Sequence, residues 1–106
     1  GYVLLGDIIE RVSGMKYEAF LKQNIFDPLG MKDTGYDRWE TILPGRVSGY
    51  KRAGGRWMNA DYIDMSQPHA AGALYSTVDD LRLWHEALLT DKVLPQAMPQ
   101  RKFTAL

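Results

Sequence analysis

Apolar residues recur at helical spacing from the first positions of the chain. Tyr2, Leu5, Ile9 and Val12 fall on one face, and Val3, Leu4 and Ile8 widen it. Asp7, Glu10 and Arg11 take the other side. The spacing predicts a first helix over residues 2–13, stopped by Gly14. Gly6 lies inside it and costs about 1 kcal/mol against alanine, which a close helix contact would explain. A second helix over residues 16–25 carries the stripe Tyr17, Phe20, Leu21 and Ile25, and is expected to stop before Pro28, which biases Asp27 out of the helical region. Pro28-Leu29-Gly30-Met31 and residues 32–36 read as turns.

The pattern then changes. Residues 47–52 and 56–60 flank Ala53-Gly54-Gly55 and carry Tyr50 and Trp57, which predicts a β-hairpin. Residues 61–75 read as an ordered loop that ends in Ala70-Ala71-Gly72-Ala73-Leu74, small enough for a backbone to pass close to something else. Ser76 or Thr77 caps a third helix, with Asp79 and Asp80 approximating a capping box in its first turn. Val78, Leu81, Trp84 and Leu88 are its expected inner face, and its end is expected near Thr90. Pro95 and Pro99 predict an irregular tail with at most one helical turn. The whole, residues 1–106, reads as a single mainly α domain with one short β-hairpin.

Composition narrows the function classes. The 106 residues are 45% hydrophobic and 25% charged, an ordinary globular balance that rules out collagen, a coiled coil and a disordered acidic tail. Thirteen basic residues cancel thirteen acidic ones, so no global field draws nucleic acid. Cysteine is absent, which removes disulfides and thiolate metal sites. No apolar run approaches the roughly 20 residues of a membrane span. The chain opens without Met, already inside an apolar helical pattern, so it is expected to be a piece of something longer.

Ser13-Gly14-Met15-Lys16 and Ser48-Gly49-Tyr50-Lys51 both match Ser-x-x-Lys, a spacing that can set an amine beside a nucleophilic hydroxyl at a helix start. The second lies in the predicted strand, where residues three apart point to opposite faces. The first lies at a helix junction, where the ordinary reading is that Ser13 ends a helix and Lys16 is solvated. His69 and His85 are the only imidazoles. Ser76 with either histidine and Asp79 or Asp80 can be drawn as a triad, but the acids and Ser76 are better used as helix caps. One isolated histidine makes no metal site, and no Gly-x-Ser-x-Gly or Gly-x-Gly-x-x-Gly occurs. Residues 37–60 hold five basic residues against two acidic ones, and with Tyr50 and Trp57 they could stack on single strands, although that charge is small and a solvated hairpin is the simpler reading. Tyr17, Phe20, Phe26 and Trp84 sit at core spacing. Read alone, these residues offer no complete catalytic set.

Three segments nonetheless carry a family resemblance. Residues 1–14, Gly1-Tyr2-Val3-Leu4-Leu5-Gly6 through Ser13-Gly14, resemble the helix that follows Tyr-x-Asn in the class C β-lactamase family of serine hydrolases. Pro28-Leu29-Gly30-Met31 followed by Thr34 resembles its "PLGM-x-x-T" turn, and Ala71-Gly72-Ala73-Leu74-Tyr75-Ser76-Thr77-Val78-Asp79-Asp80-Leu81 its Gly-rich loop entering a helix. The resemblance implies the helical subdomain of the β-lactamase/transpeptidase-like fold. It also implies a parent enzyme that forms an acyl-enzyme on a β-lactam, a D-Ala peptide or a small ester.

By the same resemblance, the nucleophile and its lysine lie upstream, Tyr-x-Asn ends just before Gly1, and the Lys-Thr-Gly strand follows Leu106. No catalytic residue, metal ligand or cofactor site is then expected in this chain. His69, Ala71 and Gly72 are expected to border the pocket and touch the parent's small-molecule substrate. The chain alone is expected to be inactive and to self-associate through its bared helices, with no nucleic-acid partner. The alternative left open by the residues is a non-catalytic protein-interaction domain.

Overall fold

The computed structural model describes residues 1–90, 92 and 93. The expected irregular tail, with Pro95 and Pro99, lies outside them. Helix α1 spans Tyr2–Ser13, and Gly14 follows it in the left-handed conformation, φ 70°. Ser13 finishes the helix in detail: its hydroxyl donates to the Ile9 carbonyl at 2.6 Å and accepts from the Met15 N–H at 3.2 Å. Glu10 then reaches across the joint and accepts the Tyr17 N–H at 2.8 Å, occupying an otherwise orphaned donor at the next helix's start.

That second helix does not stop where proline was expected to stop it. It runs as α2 (Tyr17–Leu21), a π-helical turn over Lys22–Phe26, and α3 (Asp27–Leu29). Asp27 is helical, φ −63° and ψ −47°, against the extended conformation expected before Pro28. The wide turn supplies the reason. The Asp27 N–H bonds to the Lys22 carbonyl five residues back, which steps the register just where the proline ring would meet the preceding turn. The predicted stripe is correct. Tyr17, Leu21, Phe26 and Met31 form the buried cluster, with Phe20, Ile25 and Trp84 packed against it. Each side chain of this size stabilises by about 1.5–3 kcal/mol when fully buried.

Two small antiparallel sheets complete the described chain. Strands β2 (Tyr50–Ala53) and β3 (Arg56–Asn59) form the predicted hairpin, with Arg52 opposite Trp57. The other sheet was not legible in the sequence. β1 (Gly35–Tyr36) lies in a predicted turn and pairs with β4 (Leu74–Tyr75) in a predicted loop. Two-residue strands have no alternation to read, and their partner lies about forty residues away.

Helix α4 spans Val78–Leu88, two residues short of the expected end. Thr77 caps it, accepting the Asp80 N–H at 3.2 Å. Asp80 does not complete a capping box. Its carboxylate is buried and accepts from the Asp33 N–H at 2.8 Å and the Thr34 hydroxyl at 2.7 Å. Of the face expected inward, Trp84 packs on the core and Leu88 is half-buried, while Val78 and Leu81 are exposed. Asp80, Leu83, Trp84 and Ala87 face the core, whereas Val78 is 83% exposed.

The predicted face of α1 is likewise uncovered. Tyr2, Val3, Leu4, Leu5, Ile8 and Val12 remain exposed, and only Ile9 of the expected stripe reaches the core. The Cα radius of gyration is 16.3 Å, against about 13 Å for a compact chain of this length. No helix among the described residues is long and apolar enough to cross a membrane.

Candidate functional site

The segment expected to border a pocket is a closed turn seated on α1. His69–Ala71 is one turn of 3-10 helix. The His69 N–H donates to the Met65 carbonyl at 3.1 Å, and the amides of Ala71, Gly72 and Ala73 donate back to Pro68 and His69 at 2.7–3.2 Å. Those amides are therefore committed inside the turn and are not free donors for an oxyanion. The Ala73 carbonyl accepts from the Asp37 N–H at 2.8 Å, which ties the turn to the end of β1.

His69 is the one non-glycine residue with positive φ, at 43°, among those described. Histidine tolerates this region better than most side chains do, at a cost. Its surroundings hold it there. Nδ1 lies 3.1 Å from the Tyr36 hydroxyl, and its ring sits 5.1 Å from Tyr17 and 5.9 Å from Tyr36 between centroids. Burial pushes both tyrosine hydroxyls above their ordinary range, with Arg38 pulling Tyr36 the other way. Both phenols therefore stay neutral at physiological pH; Tyr36 donates to the Met65 carbonyl at 3.3 Å, and the direction of its bond with His69 Nδ1 follows the imidazole tautomer. Arg38 is itself fixed by a bidentate pair with Glu18 at 2.9 and 2.5 Å. A polar cleft of about 550 Å³ opens beside His69, between Glu10, Lys16 and Arg38.

Gly6 explains how the turn reaches α1. A Cβ there would stand 2.5 Å from the Ala70 Cβ and 3.0 Å from His69 Nε2. The expected close contact exists, and its partner is this turn, not another helix. Gly72 is different. Its φ of 176° is open to any residue, and a Cβ would meet only the Pro68 Cβ at an ordinary 3.6 Å. Neither backbone nor packing demands glycine at 72. Ala71 and Gly72 are both exposed, so this edge of the turn presents room and no side-chain chemistry.

The Ser-x-x-Lys pairs are not assembled. The Ser13 hydroxyl is spent on its own helix, and Lys16, 80% exposed, lies 3.8 Å from Glu10. Lys51 pairs with Asp61 instead of Ser48. Ser76 exchanges a hydrogen bond with Thr34 at 2.8 Å, and His85 is exposed, so no Ser-His-Asp set forms. Among the described residues no group of three His, Cys, Asp or Glu could hold a metal. Sequence reasoning missed Glu10 and Tyr36, which line the cleft beside His69, and, away from it, the Thr34–Asp80 pair that fixes α4. Only the last carried a signal, since both belong to the segments with family resemblance.

Comparison with known proteins places these features in a wider frame. The family described as Beta-lactamase matches residues 1–105. The chain is 33% identical over 103 residues to a putative penicillin-binding protein, PbpX, of Bacillus subtilis, covering 97% of this chain and 26% of the relative. In structure it is similar to the D-amino acid amidase from Ochrobactrum anthropi SV3, with a TM-score of 0.81 and 35% identity over 92% of this chain and 29% of that one. It is also similar to the octameric penicillin-binding protein homologue from Pyrococcus abyssi, with a TM-score of 0.81 and 29% identity over 98% of this chain and 24% of that one. The chain thus spans 24–29% of the length of these proteins.

Proposed function

We propose a function from one premise: the chain belongs to the beta-lactamase family of serine hydrolases. It is the central part of such an enzyme, a helical subdomain that walls one side of the substrate cleft. The complete enzyme transfers an acyl group from a β-lactam, a D-amino-acid amide or peptide, or a small ester to a serine outside residues 1–106, and water then releases it. His69, Ala71 and Gly72 border that pocket and shape access to it. The similarity to a D-amino acid amidase supports D-configured amides among the substrates.

The observation that carries this reading is the state of Ser13 and Lys16. A hydroxyl bonded to its own helix and an amine 80% exposed beside Glu10 supply neither a nucleophile nor a base. The polar cleft beside His69, between Glu10, Lys16 and Arg38, supports a pocket edge at this turn.

The test compares the 106-residue chain with the product of the complete reading frame, using nitrocefin, D-phenylalanine p-nitroanilide and p-nitrophenyl acetate. Turnover of at least one substrate by the complete protein and of none by the chain is expected. Turnover by the chain that Ser13→Ala abolishes would overturn the reading, as would a complete protein inert towards all three. The exposed apolar residues of α1 also support self-association of the chain alone. Light scattering should show a mass that rises with concentration, and a strict monomer would contradict this.

A further inference from the structure

The register of the hairpin sorts its side chains onto two faces. Tyr50 opposes Asn59 and Arg52 opposes Trp57, so alternation puts these four together. Lys51, Ala53, Arg56 and Met58 take the other face, where Lys51 is half-buried and paired with Asp61. The first face is bare. Trp57 is 73% exposed and Tyr50 63%, with Arg52 and Asn59 exposed beside them. Arg38, Arg46, Lys51 and Arg82 each hold an acid. The Arg52 side chain has no ion-pair or hydrogen-bond partner among the described residues.

Two aromatic rings, a free guanidinium and a carboxamide on one strand face form a platform for a flat, hydroxylated, acidic ring. The C–H edge of a pyranose is partly positive and lies well on the negative face of Trp57 or Tyr50. A guanidinium takes a carboxylate through two parallel bonds. The Asn59 amide offers both a donor and acceptors to sugar hydroxyls. We propose that the Tyr50–Arg52–Trp57–Asn59 face binds a polysaccharide that carries carboxylates.

Other occupants fit less well. Anionic membranes call for large apolar groups to insert, and the hairpin tip is Ala53-Gly54-Gly55. Single-stranded nucleic acid stacks on the same rings, but it carries a phosphate at every nucleotide, and this face sets a single cation, Arg52, against them. Packing the face against its own copy sets one Arg52 near another.

The test is calorimetric titration of the chain with a hyaluronan hexasaccharide, whose glucuronates carry the carboxylates. Chitohexaose, a dT hexamer and phosphatidylglycerol vesicles serve as competing probes. Saturable binding of the hyaluronan fragment is expected. Trp57→Ala and Arg52→Ala should each weaken it roughly fivefold or more, and Arg52→Lys by an intermediate factor. Val78→Ala, on an exposed residue of α4, should leave it unchanged. Hairpin amide resonances confirm that each variant keeps its fold. No binding of the hyaluronan fragment, binding indifferent to both Trp57→Ala and Arg52→Ala, equal binding of chitohexaose, or preference for the dT hexamer or the vesicles would each overturn the proposal.

Discussion

Replacing Asp80 by alanine should lower the melting temperature of the chain by roughly 10–20 °C. Asp80 is 4% exposed and accepts two hydrogen bonds, from the Asp33 N–H and the Thr34 hydroxyl. Hydrogen bonds to a charged group are worth about 1.5–3 kcal/mol each, and removing the acceptor also strands its donors. A loss of about 3 kcal/mol follows, which is large against a typical total of about 5–15 kcal/mol. The damage should spread along the chain of contacts. The Thr34 hydroxyl, which also shares a hydrogen bond with Ser76 at 2.8 Å, would lose its acceptor. Asp79 is the control. It shares the first turn of α4 but is exposed, and its loss should cost under about 1 kcal/mol. Thermal unfolding followed by circular dichroism distinguishes the two, and equal shifts for Asp80→Ala and Asp79→Ala would refute the assignment.

The second large effect concerns Gly6, where propensity and packing point in opposite directions. Alanine in place of a helix-interior glycine gains about 1 kcal/mol by propensity alone. Here the new Cβ would stand 2.5 Å from the Ala70 Cβ. That carbon is fixed to backbone in a hydrogen-bonded turn, so relief requires the turn itself to move. Overpacking of this kind costs about 1–3 kcal/mol. Gly6→Ala should therefore destabilise, and Gly6→Val more strongly. Ala70→Gly in the same chain removes the opposing carbon and should restore most of the loss, a coupling that a double-mutant cycle measures. Stabilisation by Gly6→Ala would show that the turn does not pack where it is placed here.

These two contacts mark the limit of what residue patterns reveal. Periodicity located α1, the Tyr17–Ile25 stripe and α4, and the Gly54-Gly55 pair located the hairpin, because each signal is local. The β1–β4 pairing and the Asp80–Thr34 contact join residues about forty positions apart. Nothing in either segment alone announces the other. Proline misled for a related reason, since a π-helical turn absorbs Pro28 by a register step that no residue type encodes. The inner faces of α1 and α4 were only partly right, because Ile9 and Trp84 reach the core while most of the other apolar positions stay exposed. On α1 the contact is made by a glycine, and on α4 by a carboxylate. At the site, His69 could be singled out as an isolated imidazole beside small residues. Its hold by Tyr36 and Tyr17 depends on the turn that brings it between them.

The central claim is that this chain walls a cleft whose bond-breaking groups lie elsewhere in the enzyme. Its most direct test is the intact mass of the 106-residue chain after incubation with excess penicillin G. The account predicts an unmodified mass, because the Ser13 hydroxyl is bonded to the Ile9 carbonyl and Lys16 points to Glu10. A stoichiometric penicilloyl adduct mapped to Ser13 would contradict it.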